Sequence, residues 1–241
     1  MAVTELWLVR HGESVANVAA TQAEIDGLTV IPIDIRDADV PLSQTGRDQA
    51  AALGAWWESN RAAVDVCWVS PYERARETLA IARGAAAEDP ATVVDERLRD
   101  RELGILDLLT RRGVAELHPE EAERRRHLGK FYHRPPGGES WADVALRLRS
   151  FLRDGLAADH TSALIVAHDA VVMLLLYLLL PLDEARLLEF AASHTVLNAS
   201  VTHLVRNGSA WEIVEFSDVS HLQVEGAPVT VHPGSPDVEP E

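Results

Sequence analysis

The sequence predicts an α/β protein with a mostly parallel central sheet and helices on both faces. Three short apolar runs, at residues 4–9, 64–69 and 163–167, have the length and composition of buried strands. Each run ends at a polar residue and is followed by a segment with helical features, and such alternation is typical of a parallel sheet. We therefore expect a three-layer α/β/α sandwich.

Further elements follow from periodicity and turn signals taken in chain order. Helices are expected at about 14–24, 72–83, 140–156, 170–180 and 183–192. A further helix is expected to run from a cap at Ser43 or Thr45 to Trp57. A short strand is expected at 92–94. Near the C-terminus, two strand-like runs flank Asn207-Gly208, which predicts a β-hairpin over about 201–216.

Composition and charge exclude several classes of protein. The chain has 241 residues and a net charge of −16, which disfavours nucleic acid as a partner. The apolar run at 170–180 is too short to cross a bilayer, and no basic-then-apolar leader opens the chain, so neither a membrane partner nor a signal peptide is expected. Cys67 is the only cysteine, which precludes an internal disulfide and is consistent with the cytoplasm.

Cationic and imidazole side chains follow the three predicted buried strands. Arg10 and His11 come after the first strand, Arg74 follows the second by a few residues, and His168 comes directly after the third. Ligands of open α/β sheets bind beyond the carboxyl ends of the strands, so we expect these side chains to lie together. Because the chain as a whole is acidic, a phosphate site must concentrate its cations locally in this way.

Four motifs resemble those of the histidine phosphatase superfamily, in its phosphoglycerate mutase-like, Arg-His-Gly-Glu branch. The resemblance spans about residues 4–216 and is completed by the histidine at 168 after a late strand. The motifs are Arg10-His11-Gly12-Glu13 followed by Asn17, Pro41 to Gly46 with Ser43 in place of the usual threonine, Ser70-Pro71 with Arg74 and Thr78, and Gly138-Glu139-Ser140.

The resemblance implies that His11 is the nucleophile that receives a phosphoryl group. Arg10 and Arg74 would hold the phosphoryl oxygens in planar, charge-assisted contacts, and Asn17 would add a neutral donor. His168 would supply a third positive contact. Such a site needs neither a metal nor another cofactor, and a small phosphorylated molecule is the expected partner.

The proton donor for the leaving group stays open among three acids. Aligning Leu98 and Gly104 with the family pattern places Asp100 where relatives carry a glutamate, and this position is favoured. Glu102 lies two residues on, and would share a face with Asp100 in an extended segment. Asp169 follows His168, as an aspartate follows the second histidine in the acid phosphatase branch of the superfamily.

The domain organisation is predicted to be one catalytic domain, residues 1–217, and an acidic, proline-containing tail, residues 218–241. Residues 105–137 would form a lid or insertion. Its basic stretch, 124–134, is either a solvated helix face or a surface for a second anionic group of the substrate. The sequence predicts no particular oligomeric state.

These features favour a metal-independent phosphatase that hydrolyses phosphomonoesters through phosphohistidine. A cofactor-dependent phosphoglycerate mutase is the first alternative, since the long segment between Asp100 and Gly138 is compatible with it. A non-catalytic relative that only binds phosphorylated ligands is the second.

Overall fold

A computed structural model describes residues 3–60, 63–84, 90–155 and 160–232. The strands are β1 (Glu5–Arg10), β2 (Val66–Val69), β3 (Ala91–Val94), β4 (Ser162–Ala167), β5 (Val201–Asn207) and β6 (Ala210–Asp218). The helices are α1 (Val15–Ile25), α2 (Gln44–Asn60), α3 (Glu73–Arg83), α4 (Arg111–Leu117), α5 (Pro119–Tyr132), α6 (Trp141–Gly155), α7 (Asp169–Leu179), α8 (Glu184–Ser193) and α9 (Ser220–Glu225).

The strands form one sheet in the order β3-β2-β4-β1-β5-β6. The first four strands in this order run parallel to one another, whereas β5 pairs antiparallel with both β1 and β6. The mostly parallel sheet and the C-terminal hairpin are thus confirmed. The two central strands, β1 and β4, are almost wholly buried, as their continuous apolar sequences require.

Two apolar clusters cover the two faces of the sheet, because successive side chains of a strand point to opposite sides. Leu6 and Leu8 pack on one side with α6 and α7, and Trp7 and Val9 pack on the other with α2 and α3. This arrangement confirms the α/β sandwich. Helix α7 supplies six consecutive buried residues, Val171 to Leu176. Among the described residues, no helix is long and apolar enough to cross a membrane.

Aligned strand ends position the candidate site. Arg10 pairs with Ala167 at the ends of β1 and β4, and the next amide, of His11, donates to Ala167 O at 3.0 Å. On the other side of β4, the amide of Ser70 donates to Val166 O at 3.0 Å. The residues that follow β1, β2 and β4 therefore share one edge of the sheet.

The segment predicted as a lid or insertion contains two helices. Helices α4 and α5 occupy most of it, and Gly129, with a φ of 75°, interrupts α5 near its end. Within this segment the buried side chains of Glu121 and His133 are paired at 3.0 Å.

The described part of the predicted tail lies on the body. Helix α9 packs against α2, and its Leu222 is fully buried beside Ala52 and Ala199. The chain continues along the body to His232, and residues 233–241 of the predicted tail lie outside the described residues. The boundary at 217 remains a prediction.

Candidate active site

His11 lies at the end of β1 with its ring fixed from one side. Its Nδ1 is 2.6 Å from the carbonyl oxygen of Gly12, and because a carbonyl only accepts, Nδ1 carries the proton and Nε2 bears the lone pair. The turn at Gly12 needs glycine, because a Cβ there would lie 2.6 Å from Gly46 O. In the neutral ring, this tautomer leaves Nε2 without a proton, as attack on phosphorus requires.

The surroundings of His11 keep the ring neutral. The side chain is buried, and the Nε atom of Arg74 is 3.3 Å from its Nε2. Burial, followed by the positive charge of Arg74 and the proximity of His168, holds the pKa of His11 well below its usual value. A neutral imidazole is the form that attacks phosphorus.

Arg74 is held by two carboxylates at the start of α3. Its Nη1 donates to the Oδ1 of Asp37 at 2.9 Å and to the Asp37 carbonyl at 2.7 Å, and its Nη2 donates to the Oδ2 of Asp100 at 3.0 Å. Burial acts to lower the pKa of Arg74, but the charges of Asp37 and Asp100 outweigh it and raise the pKa. The guanidinium is therefore charged and fixed.

Arg10 is held by backbone carbonyls rather than by acids. Its Nη1 donates to Val196 O at 2.5 Å and its Nη2 to His232 O at 2.9 Å. The side chain is 2% exposed, and its Nε has no hydrogen-bond partner within the part of the chain that the structure describes. A buried, unpartnered donor of this kind is available to an anion that enters the pocket.

His168 stands beside His11, with 5.1 Å between the ring centroids. Its Nε2 is 2.8 Å from the hydroxyl of Ser70, and its Nδ1 is 3.2 Å from the Oδ2 of Asp100. Burial lowers the pKa of His168 to about 4, although Asp100 acts in the opposite direction. Burial thus favours the neutral ring, and the expectation that His168 supplies a positive contact stays a prediction.

The three predicted proton donors occupy different surroundings. Burial acts to raise the pKa of Asp100, but its contacts with His168 and Arg74 outweigh it and hold the pKa well below its usual value. The carboxylate of Glu102 accepts a hydrogen bond from the hydroxyl of Tyr72 at 2.9 Å. Asp169 begins α7 and lines the same pocket.

Asn17 caps the first turn of α1 at the edge of the site. Its side-chain Oδ1 accepts from the backbone amide of Ser14 at 3.0 Å, and its backbone amide donates to the hydroxyl of Ser14 at 3.1 Å. This reciprocal capping leaves the side-chain NH₂ of Asn17 as the group that can donate to a ligand.

One open cavity of about 290 Å³ joins these groups. It is lined by every predicted site residue except His168, whose side chain is fully buried. Two carboxylates that the sequence analysis did not single out, Asp37 and Asp107, also line it. From the basic stretch only Lys130 reaches the cavity, whereas Arg124 and Arg126 pair with Glu121 and Glu123 on their own helix. No group of three metal-ligating side chains lies within the described residues.

A comparison with family models identifies the protein family. The model of the histidine phosphatase superfamily (branch 1) matches residues 6–219. The chain belongs to this superfamily. Known members that resemble it include phosphatases and mutases, and its candidate site occupies the edge of the sheet that the motifs predicted.

Relatives within the histidine phosphatase superfamily carry different activities. A probable phosphoglycerate mutase of Proteus mirabilis is 31% identical over 224 residues, covering 90% of this chain and 94% of that protein. A metal-independent phosphoserine phosphatase of Arabidopsis thaliana is 30% identical and covers 93% and 85%, respectively. The structure of a mycobacterial glucosyl-3-phosphoglycerate phosphatase superimposes with a TM-score of 0.71 at 25% identity, covering 90% of this chain and all of that one.

Proposed function

We propose that this chain is a phosphatase that hydrolyses small phosphomonoesters through a phosphohistidine on His11, without a metal. The observation that carries the proposal is the state of His11: a buried, neutral ring whose Nδ1 is held by Gly12 O and whose Nε2 lies 3.3 Å from the Arg74 guanidinium. The charge that a metal would neutralise is met instead by two arginines. A cytoplasmic location fits Cys67, a free and buried thiol whose pKa burial raises to about 12.

The reaction runs in two balanced steps. First, the Nε2 lone pair of His11 attacks phosphorus, the bond from phosphorus to the ester oxygen breaks, and the leaving oxygen takes a proton from an acid. Water then attacks the phosphohistidine, the N–P bond breaks, and the conjugate base of that acid takes a proton from the water. Arg10, Arg74 and Asn17 donate to the phosphoryl oxygens in both steps, and each contact to a charged group contributes about 1.5–3 kcal/mol.

Asp100 is our favoured proton donor, supported by its place between Arg74 and His168. Its low pKa reflects the charges of the protein groups around it, above all His168 and Arg74. A bound phosphoryl dianion competes for the charge of Arg74 and adds its own negative charge, and both effects raise the pKa of a neighbouring carboxyl. Glu102 and Asp169 remain the alternatives.

The primary test is phosphate release from a panel of phosphomonoesters with EDTA present. We expect release by the wild type and its loss in His11→Ala, together with an acid-labile phosphoryl group trapped on the wild type only. Activity that EDTA abolishes would contradict the metal-independent mechanism, and activity that persists in His11→Ala would contradict the nucleophile.

A second experiment assigns the proton donor by comparing Asp100→Asn, Glu102→Gln and Asp169→Asn. Loss of a positioned general acid lowers kcat by about 10²–10⁴-fold, so we expect a fall of that size only in Asp100→Asn. An ester with a very acidic alcohol as leaving group, such as a dinitrophenol, needs no protonation and should restore most of the rate in that variant. A comparable fall in one of the other two variants, rescued in the same way, would transfer the role to it.

The alternative function is phosphoglycerate mutase, favoured by Lys130 and Arg101, which line the cavity and are suited to the carboxylate of such a substrate. Interconversion of 3- and 2-phosphoglycerate, faster than phosphate release from either, would establish it. A chain that forms no phosphohistidine but binds phosphate would be the non-catalytic relative.

A further inference from the structure

The last described stretch of the chain, residues 227–232, lies against the loop that carries His11; we call it the strap. We propose that the strap is part of the phosphate-binding site and that His232 is a positioning residue, which holds Arg10 ready for the phosphoryl group. The inference rests on the proposed function, because it assigns Arg10 to the phosphoryl oxygens.

The strap contacts Arg10 directly. The carbonyl of His232 accepts from Nη2 of Arg10 at 2.9 Å, and the carbonyl of Val196 accepts from Nη1 at 2.5 Å. Two acceptors at the two terminal nitrogens fix the plane of the guanidinium, while the buried Nε is unpartnered among the described residues. An arginine ordered in advance does not pay the cost of ordering when the ligand binds.

The ring of His232 anchors the carbonyl that holds Arg10. Its Nε2 donates to Oε2 of Glu13 at 2.7 Å, and its Nδ1 lies 2.7 Å from the hydroxyl of Thr21 on α1. His232 and Glu13 are both buried. Through His232, the strap is thus hydrogen-bonded to Arg10, to Glu13 in the loop after β1 and to Thr21 of α1.

The rest of the strap is bonded to the same loop through two buried amides. Gln49 donates to Pro228 O at 2.8 Å and to Thr230 Oγ1 at 2.9 Å, and its Oε1 accepts from the amide of Glu13 at 2.8 Å. Asn198, which accepts from the hydroxyl of Thr230 at 3.3 Å, donates to the carbonyl of His11 at 3.1 Å. The strap therefore shares partners with the backbone of both His11 and Glu13.

Ala227 packs on the apolar cluster around Leu222, but burial of apolar side chains does not explain the course of the strap beyond it. Val229 and Val231 are 41% and 60% exposed, so they point away from the body, and the alternate residues Thr230 and His232 point towards it. The polar contacts with the site loops are what hold the strap. Removing the ring of His232 should therefore release the end of the strap, and with it the acceptor on Arg10.

The test compares His232→Ala with His203→Ala in the full-length chain. His203 is a matched control, because its ring also pairs with a glutamate, Glu5 at 2.9 Å, but on the part of β5 away from the cavity. The readouts are the affinity for inorganic phosphate by calorimetry, KM and kcat for one phosphomonoester, and the melting temperature. Both variants lose one histidine–glutamate pair, so a loss of stability alone does not distinguish them.

We expect His232→Ala to weaken phosphate affinity and raise KM about tenfold, the effect of one misplaced contact to a charged group. His203→Ala should keep the wild-type affinity. His232→Gln, whose amide nitrogen can replace Nε2 towards Glu13, should recover most of the loss. If His232→Ala does not fold, Thr21→Val removes the other partner of the ring, and a smaller loss of the same kind is expected.

Unchanged phosphate affinity and KM in the folded His232→Ala variant, or in Thr21→Val where that replaces it, would overturn the inference. So would an equal loss in His203→Ala. These results differ from failure of the proposed function, in which the wild type itself releases no phosphate from any ester. A wild type that also does not bind inorganic phosphate would overturn both.

Discussion

At the scale of single residues, Asp37 pairs with the guanidinium of Arg74, the group that an incoming phosphoryl dianion needs. It contacts Arg74 through both its carboxylate, at 2.9 Å, and its carbonyl, at 2.7 Å, while Arg74 is almost fully buried. Burial raises the pKa of Asp37, and the negative charge of Asp100 acts in the same direction, although Arg74 opposes both. A carboxylate in this place competes with substrate for the charge of Arg74.

Asp37→Asn should therefore tighten inhibition by inorganic phosphate about 3–10-fold, because the variant no longer neutralises Arg74 and no longer repels the anion. The measurement is the competitive inhibition constant in a phosphate-insensitive assay. Asp39→Asn is the control, since Asp39 lies two residues from Asp37 but forms an exposed pair with Arg36. Weaker inhibition in Asp37→Asn would instead identify Asp37 as a residue that positions Arg74.

At the scale of secondary structure, the elements that form the site were those with the clearest sequence signals. The continuous apolar runs of β1, β2 and β4 allowed their strands to be predicted, and the parallel arrangement placed His11 and His168 together although 157 positions separate them. Helix α5 was not predicted, because its charged residues surround it on most sides and give no apolar stripe. Its Glu123–Arg126 pair, three residues apart and exposed on both side chains, supports a solvated helix face.

The residues that the sequence analysis missed contact the site from far along the chain. Asp37 lies in an irregular segment and meets Arg74 across 37 positions, and no local pattern indicates such a contact. The contact of Arg10 with the carbonyl of His232 spans 222 positions and involves a backbone atom, which every residue has. A proline-containing, acidic segment predicts a tail, and only packing reveals that its first part lies on the body.

At the scale of the whole molecule, the fold holds several histidines, in the site and outside it, buried and in the neutral form. Burial lowers the pKa of His168 to about 4, and it also lowers the pKa values of His11, His133 and His221. The unfolded chain binds protons at these rings at a higher pH than the folded chain does. Folding stability therefore falls as the pH drops from the usual histidine value, near 6.5, towards the folded values.

The contribution of His168 can be isolated from this fall. A shift from 6.5 to about 4 corresponds to about 3 kcal/mol of the free energy of unfolding, lost progressively between those two pH values. The low pKa of Asp100 acts in a different window, because its stabilisation is present above pH 3.8, the usual aspartate value, and is lost only below it.

We expect the free energy of unfolding in urea to fall between pH 6.5 and 4 by about 3 kcal/mol less in His168→Gln than in the wild type, since glutamine cannot take up the proton. His127→Gln, which removes an exposed histidine from α5, controls for the loss of one histidine and should keep the wild-type slope. Comparing the pH dependence of the free energy of unfolding, rather than its absolute value, removes any pH-independent loss of stability caused by His168→Gln. Equal slopes in wild type and His168→Gln would show that His168 is not held neutral, and that it enters the phosphate site already charged.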